Sequence, residues 1–179
     1  LKIESAGQII LVRDKKEQEK VKKRLGTELV FTIHQAKGLE FNTVLLWKFS
    51  GGKKSTGLWR KIYNEHYLDP SHYPHIKHEL NLLYVAVTRA RNTLIIYDGP
   101  GISDIWQIDR IKKEIYLADD VNTINELWQH ISTPGEWESQ GDYFFEREYY
   151  KPAFECYKNA NNLHKMDRAR AYILLEEKK

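Results

Sequence analysis

The sequence predicts an α/β fold, in which helices flank a mainly parallel β-sheet and a small all-α segment follows. Three observations lead to this prediction. Short apolar runs, typical of strands, alternate with charged stretches, and the last of these runs is preceded by apolar residues that recur at helical intervals. In the final quarter of the chain, aromatic and small residues also recur at helical intervals. The composition, with 41% hydrophobic and 30% charged residues among 179, is that of a folded globular chain. Because the chain begins at Leu1, we expect it to be part of a longer protein.

The first strand is predicted at Gln8–Arg13, a continuous apolar run that is too short for a helix. Asp14, with an acid three residues later at Glu17, is typical of the beginning of a helix. This helix should run to about Leu25 and end at Gly26, because glycine readily adopts the left-handed conformation that follows a helix.

Two further strands are predicted at Glu28–Ile33 and Thr43–Trp47, where β-branched and aromatic residues cluster. A strand, a helix and a second strand form a βαβ unit. This unit implies a parallel sheet that is buried on both faces.

A second long helix is predicted from Ile76 to Arg91, because apolar residues recur there at intervals of three and four. The members of this apolar face are Leu80, Leu83, Tyr84 and Val87, and we expect Tyr84 and Val87 in the core. Arg89 follows Leu80 by nine positions, which is about 180° around the helix. Its guanidinium should therefore point away from the domain's own core.

The fourth strand, Thr93–Tyr97, ends in the turn Asp98–Gly101, and we place a domain boundary there. The chain then divides into a sheet domain at 1–100, an acidic helical connector at 101–133, and a helical hairpin with the start of a further helix at 134–179.

The last segment resembles the 34-residue tetratricopeptide (TPR) pattern, in which small and aromatic residues mark two crossing helices. The matching residues are Trp137, Gly141, Phe144, Ala153, Tyr157 and Ala160. The expected leucine and proline are replaced by Gln140 and Lys165. Because such arrays need about three repeats, either the array continues beyond the chain or these helices lean on the sheet domain.

Charge is unevenly distributed along the chain. Residues 1–97 hold 17 Lys and Arg against 9 Asp and Glu, whereas residues 98–150 hold 4 against 12. This distribution favours a polyanion-binding module followed by a segment with another task, although solvated faces of uneven charge also explain it.

Several classes of protein are excluded by what the sequence lacks. No apolar run approaches the roughly 18 residues of a membrane span, and no signal peptide is recognisable. One cysteine and seven scattered histidines offer no zinc spacing, so we expect no metal site and a reducing compartment. We therefore predict an intracellular protein, nuclear or cytoplasmic, that contacts no membrane.

Two strings carry the functional prediction: TIHQAKGLEF at 32–41 and LYVAVTRAR at 83–91. Both lie at the ends of elements, where a parallel sheet is expected to place its ligand crevice. Taken singly, each string has a simpler explanation: the first would be a turn that needs Gly38, and the second would carry an arginine, Arg89, that is merely solvated. Together they resemble motifs V and VI of the UvrD/Rep-like superfamily 1 helicases, and the resemblance covers about residues 8–98. The TPR-like tail adds a resemblance to the helicase-like proteins that contain TPR and ankyrin repeats.

The resemblance implies the second of two RecA-like domains of the P-loop NTPase type. The whole protein would then be an ATP-dependent helicase or translocase of DNA or RNA, whose ligands are ATP, Mg²⁺ and single-stranded nucleic acid, with DNA favoured. ATP and Mg²⁺ would be held mainly by an upstream RecA-like domain of the same protein. Closure and opening of the two domains would move the enzyme along the strand.

Six residues receive roles from the resemblance. Arg89 would be the catalytic arginine finger on the γ-phosphate, and Gly38 and Glu40 would lie beside the nucleotide. Contacts with the nucleic-acid backbone would come from Thr32, His34 and Lys37. Arg13 is a further candidate for the crevice, and Arg91 for capping the end of the long helix.

Two departures from the family pattern limit this prediction. Only 18 residues separate Arg13 from Thr32, which leaves no room for the large domain that UvrD-like helicases insert there. No G-x-x-x-x-G-K-[ST] phosphate loop occurs, and Gly51–Thr56 is interpreted as a basic loop. The fragment alone should therefore not hydrolyse ATP. The alternative is a scaffold whose TPR-like tail recruits a protein partner while the helicase-like domain has little activity.

Overall fold

The chain folds around a four-stranded parallel sheet with the strand order β2-β1-β3-β4. The computed structural model describes residues 2–50, 53–64, 69–99, 103–118 and 121–178, and the side chains of these except 53–56 and 121. The strands are β1 Gln8–Val12, β2 Val30–Thr32, β3 Phe41–Trp47 and β4 Ala90–Tyr97. The sequence-based prediction of an α/β fold with a parallel sheet is confirmed.

The helices fall into three groups along the chain. Those of the sheet domain are α1 Lys15–Leu25, α2 Lys53–Asn64 and α3 Tyr73–Val87, the last preceded by a 3-10 turn at Pro70–His72. Three short connector helices follow, α4 Asp104–Gln107, α5 Asp109–Lys112 and α6 Val121–Trp128. The tail consists of α7 Pro134–Phe145, α8 Tyr150–Asn159 and α9 Leu163–Glu176. Within the described ranges, none of these helices has the length and apolar character required to cross a bilayer.

The sheet is covered on both faces, which explains why its strands are continuous apolar runs. One face, represented by Ile9 and Leu11, packs against α2, α3, α4 and the tail helices. The opposite face, represented by Ile10 and Val12, packs against α1 and α6, where Trp128 is buried. Alternate residues of β1 thus belong to different hydrophobic clusters, as the two-residue period of a strand requires.

Both ends of α1 lie where the sequence predicts them. The carboxylate of Asp14 accepts a hydrogen bond from the amide of Glu17 at 2.9 Å. Gly26 ends the helix with φ of 66°, and its amide donates to the carbonyl of Lys22. These caps are local interactions, so the sequence alone is enough to locate them.

The prediction for α3 is wrong in its end and in its buried face. The helix ends at Val87, and Tyr84 and Leu80 are 68% and 47% exposed. The side that faces the sheet instead carries Glu79, Leu82 and Ala86. The helix ends early because the Thr88 hydroxyl bonds back to helical carbonyls and because Ala90 already pairs with Phe41 in the sheet.

The predicted basic loop Gly51–Thr56 is only partly described. Gly51 and Gly52 lie outside the described residues, and Lys53 begins α2, so this part of the loop prediction is wrong. The turn after β4 is described as far as Gly99, which has φ of 99°.

The tail helices lean on the sheet domain, one of the two arrangements that the sequence leaves open. Phe144 of α7 stacks on Phe31 of β2, with ring centroids 5.4 Å apart, and lies 6.0 Å from the ring of Phe41. Within the tail, Gly141 of α7 faces Tyr157 of α8, where the two helices cross. The division of the chain into three domains stays a prediction.

Candidate functional site

A single loop, residues 33–40, joins β2 to β3 and carries most of the predicted site residues. The last residue of β2, Thr32, is level with Val12 at the carboxyl end of β1. Thr43, near the start of β3, is level with Gln8 at the other end of β1. The loop therefore runs from the carboxyl edge of the sheet to its amino edge, and it can present ligand contacts at both edges.

The first half of the loop is a tight turn that is held by polar groups. The Thr32 hydroxyl accepts from the amide of Gln35 at 3.2 Å, and the Gln35 side chain accepts from the amide of Thr32 at 2.9 Å. Gln18 of α1 donates to the same Gln35 oxygen at 2.8 Å. Because Thr32 is only 5% exposed, its hydroxyl serves the turn, and the exposed residues there are His34 and Lys37. The nucleic-acid contact of Thr32 stays a prediction.

The second half of the loop turns sharply at Gly38. Its φ of 84° is in the left-handed region that favours glycine, and no atom lies within 4 Å of the position that a Cβ would take. Glycine is therefore required by the backbone conformation and not by crowding. The turn leaves Glu40 exposed at the amino edge of the sheet.

Arg89 lies in the two-residue turn between α3 and β4, and this corrects its predicted place on the helix. Its guanidinium donates to the carbonyl of Val85 at 2.9 Å, to the carbonyl of Leu39 at 2.8 Å and to the Thr88 hydroxyl at 3.0 Å. All three acceptors are neutral oxygens. Within the part of the chain that the structure describes, no carboxylate pairs with Arg89.

The bond between Arg89 and Leu39 brings the two sequence motifs together. Leu39 lies between Gly38 and Glu40 in the chain. The three predicted nucleotide-binding residues, Gly38, Glu40 and Arg89, therefore share one corner of the molecule. The amide of Phe41, which begins β3, donates to the carbonyl of Arg89 at 2.9 Å. This corner therefore lies at the amino edge, whereas the ligand crevice of a parallel sheet is usually at the carboxyl edge, so Arg89 and Glu40 do not lie where a crevice is expected.

Arg91 is also placed differently from its prediction as a helix cap. It belongs to β4 and pairs with Glu40 at 3.1 Å, and the two side chains are 59% and 52% exposed. Such an exposed pair contributes little to stability, so Glu40 can exchange this partner for a ligand at small cost.

Arg13 and Glu79 form a pair at the carboxyl edge that sequence analysis found only in part. The Arg13 guanidinium makes two bonds to the carboxylate of Glu79, at 2.8 and 2.6 Å, and a third to the carbonyl of Phe49 at 2.9 Å. Glu79 precedes Leu82 by three positions and Ala86 by seven. Glu79 therefore lies on the same helix face as these two apolar residues, and this spacing is the sequence signal that would have identified it as buried.

A cavity of about 510 Å³ opens beside this pair, between α2 and α3. Its lining residues are Gly57, Leu58, Lys61, His72, His75, His78 and Glu79. Among the residues that the structure describes, no three potential ligands lie close enough together to hold a metal ion.

The tail contacts both halves of the loop, a feature that sequence analysis missed. The Tyr149 hydroxyl donates to the carbonyl of Gln35 at 2.7 Å, and the Tyr143 oxygen accepts from the amide of Glu40 at 3.4 Å. These contacts join residues more than 100 positions apart, so no local pattern announces them.

A four-stranded parallel sheet flanked by helices is the architecture of a RecA-like domain of the helicase type. The pattern of the UvrD-like helicase C-terminal domain matches residues 5–98, and the chain belongs to this family.

Two relatives extend the comparison. Human (Homo sapiens) TPR and ankyrin repeat-containing protein 1 is 30% identical over an alignment of 203 residues, which covers 93% of this chain and 7% of that protein. Gabija protein GajB of Bacillus cereus (strain VD045) is 33% identical over 96 residues, covering 53% of this chain and 15% of GajB. The chain thus spans a small part of either relative. No solved structure matches it.

Proposed function

We propose that the chain is the C-terminal motor domain of an ATP-dependent UvrD-like helicase or translocase, and that Arg89 is its arginine finger. The supporting observation is the corner at the amino edge, where Arg89 bonds to Leu39, between Gly38 and Glu40, and pairs with no carboxylate in the described ranges of the chain. An upstream RecA-like domain of the same protein would carry the phosphate-binding loop and face this corner.

The hydrogen-bond inventory of Arg89 fits this role. A guanidinium has five N–H groups, and three of those of Arg89 donate to protein oxygens. Among the residues that the structure describes, no acceptor is bonded to the other two N–H groups and no carboxylate is paired with the positive charge, so both groups can bind a phosphate. The bonds to Val85 and Leu39 fix the plane of the guanidinium in advance, which reduces the entropy lost when a phosphate binds.

The residues of the corner fit ATP, and they do not form a magnesium site. Glu40 offers an exposed carboxylate to a ribose hydroxyl, and Gly38 allows the backbone to approach a ligand closely. Mg²⁺ would be held by the upstream domain. When bound, ATP with Mg²⁺ supplies the phosphoryl group, and the task of Arg89 is to stabilise the negative charge that develops during transfer.

Nucleic acid would lie at the opposite, carboxyl edge. His34 and Lys37 are exposed on the turn after β2, and such side chains can contact phosphates or stack on bases without reading sequence. DNA is favoured over RNA by the family resemblance. Residues 1–97 carry the excess of basic residues that a polyanion requires.

The decisive experiment replaces Arg89 in a longer protein that includes the upstream domain. ATPase activity with and without single-stranded DNA or RNA should fall about 10³-fold in Arg89→Ala. Arg89→Lys should restore little, because an ammonium cannot reproduce the planar fork. Arg170→Ala, at an exposed position of α9, is the matched control and should retain full activity. Thermal unfolding of each variant separates loss of catalysis from loss of structure, and an unchanged rate in well-folded Arg89→Ala would remove Arg89 from the mechanism.

The second candidate function is a scaffold, with the tail as a TPR-like unit that recruits a protein partner. One observation favours it: α9 exposes apolar side chains that an additional helix or a partner would cover. They are Leu163, Leu174 and Leu175. A longer protein that lacks a phosphate-binding loop in its upstream domain would favour the scaffold over the motor.

A further inference from the structure

We propose that Tyr149 and Tyr143 of the helical tail are positioning residues for the loop at 33–40, which makes the tail a working part of the motor domain. This inference rests on the proposed function, because the same loop carries the proposed contacts with ATP and nucleic acid. The tail would then do more than recruit partners, since it would determine the shape of the ligand-binding loop.

Tyr149 fixes the first half of the loop. Its hydroxyl donates to the carbonyl of Gln35 at 2.7 Å, and its ring meets that of Phe31 edge to face, with centroids 5.4 Å apart. Its own backbone is tied to α7, because its amide donates to the carbonyl of Phe144 at 3.0 Å. Burial raises the pKa of Tyr149, which keeps the hydroxyl protonated and able to donate.

The carbonyl that Tyr149 holds belongs to the residue that organises the turn. The Gln35 side chain already bonds to Thr32 and Gln18, as described above. With the bond from Tyr149, both the side chain and the backbone of Gln35 are fixed. Its exposed neighbour His34 therefore projects from a backbone with little freedom.

Tyr143 holds the other end of the loop. Its oxygen accepts from the amide of Glu40 at 3.4 Å, and its ring meets that of Phe41 edge to face, with centroids 6.4 Å apart. The guanidinium of Arg147 lies 3.9 Å from the centre of the Tyr143 ring and donates to the Tyr143 carbonyl. These contacts limit the movement of the ring to which the Glu40 amide is bonded.

A third contact holds the segment that precedes β2. Glu155 of α8 accepts from the Thr27 hydroxyl at 2.6 Å and from the amide of Glu28. The tail therefore contacts the segment before β2, the start of the loop and the end of the loop. Because α7 and α8 pack closely where they cross, a shift of this hairpin would move all three points together.

The test removes one hydroxyl and compares it with a matched control. Tyr149→Phe keeps the ring and loses only the bond to Gln35. Tyr157→Phe loses a bond of similar length, 2.8 Å to Asp142, that lies wholly within the tail. Using the 179-residue chain, hydrogen exchange of the amides at 33–40 is measured together with binding of a labelled single-stranded DNA. We expect Tyr149→Phe to raise both the exchange rate and the Kd about fivefold, and Tyr157→Phe to change either by less than twofold.

Equal behaviour of the two variants in loop exchange would overturn the inference, because Tyr149 would then be only one more stabilising residue. If Tyr149→Phe exchanged its loop amides faster but bound single-stranded DNA with an unchanged Kd, the inference would also be overturned. The loop conformation that Tyr149 stabilises would then have no effect on binding. If the unaltered chain binds no nucleic acid and the longer protein hydrolyses no ATP, the proposed function fails. Loop exchange needs no ligand and still decides whether the tail holds the loop.

Discussion

Replacing Gly141 by alanine should loosen the crossing of α7 and α8. A Cβ at this position would lie 2.5 and 2.6 Å from Cε1 and Cδ1 of Tyr157, about 1 Å closer than carbon atoms normally approach. The Tyr157 ring cannot easily move away, because it is buried and its hydroxyl is bonded to Asp142. Overpacking of this kind costs up to about 3 kcal/mol, and the higher helix propensity of alanine returns about 1 kcal/mol. We expect a net loss of about 2 kcal/mol.

The loss is measured by urea unfolding, followed by tryptophan fluorescence and analysed by linear extrapolation. Gly135→Ala is the control, because it lies in the same helix and no atom would be within 4 Å of its Cβ. The control should leave stability unchanged or raise it by up to about 1 kcal/mol. If Gly141→Ala were as stable as the unaltered chain, the two helices could not cross as closely as the structure has them, and the reasoning would be refuted.

Two further predictions concern Glu79, which is buried, and Glu155, which is partly buried. Glu79→Leu should lower the free energy of unfolding in urea by about 3 kcal/mol, because it leaves the partly buried Arg13 without its carboxylate partner. The double variant, which also carries Arg13→Met, should lose less. If the losses of the two single variants simply added in the double variant, this reasoning would be contradicted. Burial raises the pKa of Glu155 above its ordinary value of 4.5, although bonds from Thr27 and Glu28 oppose the shift. The folded state therefore holds this proton more tightly, so this group's contribution to stability falls as pH rises above 4.5. Glu155→Gln should abolish that part of the pH dependence. If the variant and the unaltered chain had identical profiles of unfolding free energy against pH, Glu155 would not contribute.

Local features of the fold could be predicted because their causes are local. The capping carboxylate of Asp14, the left-handed Gly26 and the small Gly141 each follow from a few neighbouring residues. The strands could be located for a similar reason, since a sheet covered on both faces requires continuous apolar runs.

The buried face of α3 could not be predicted, because the helix carries apolar residues on more than one side. Tertiary contacts decide between the sides: Leu82 and Ala86 pack against the sheet, and Glu79 is buried among them because Arg13 neutralises it. A period of apolar residues alone selects the wrong side, with Tyr84 in the core. The contacts between the tail and the loop are beyond sequence reasoning for the same physical reason, since they join distant segments.

The separation of the two edges shows how this domain could link its ligands. Nucleic acid is proposed to lie at the carboxyl edge and the nucleotide at the amino edge, and two elements connect these edges. The loop at 33–40 is one, and α3 is the other, since Glu79 is bonded at the carboxyl edge and Arg89 follows at the amino edge. From Glu79 to its last residue, Val87, α3 spans about 12 Å, a distance over which a helix is stiff. Because Arg89 follows α3 directly and bonds to Leu39 of the loop, we expect a displacement of either element to alter the position of the guanidinium. We propose that these two elements couple the bound strand to the nucleotide, and that the tail influences this coupling because it contacts the loop.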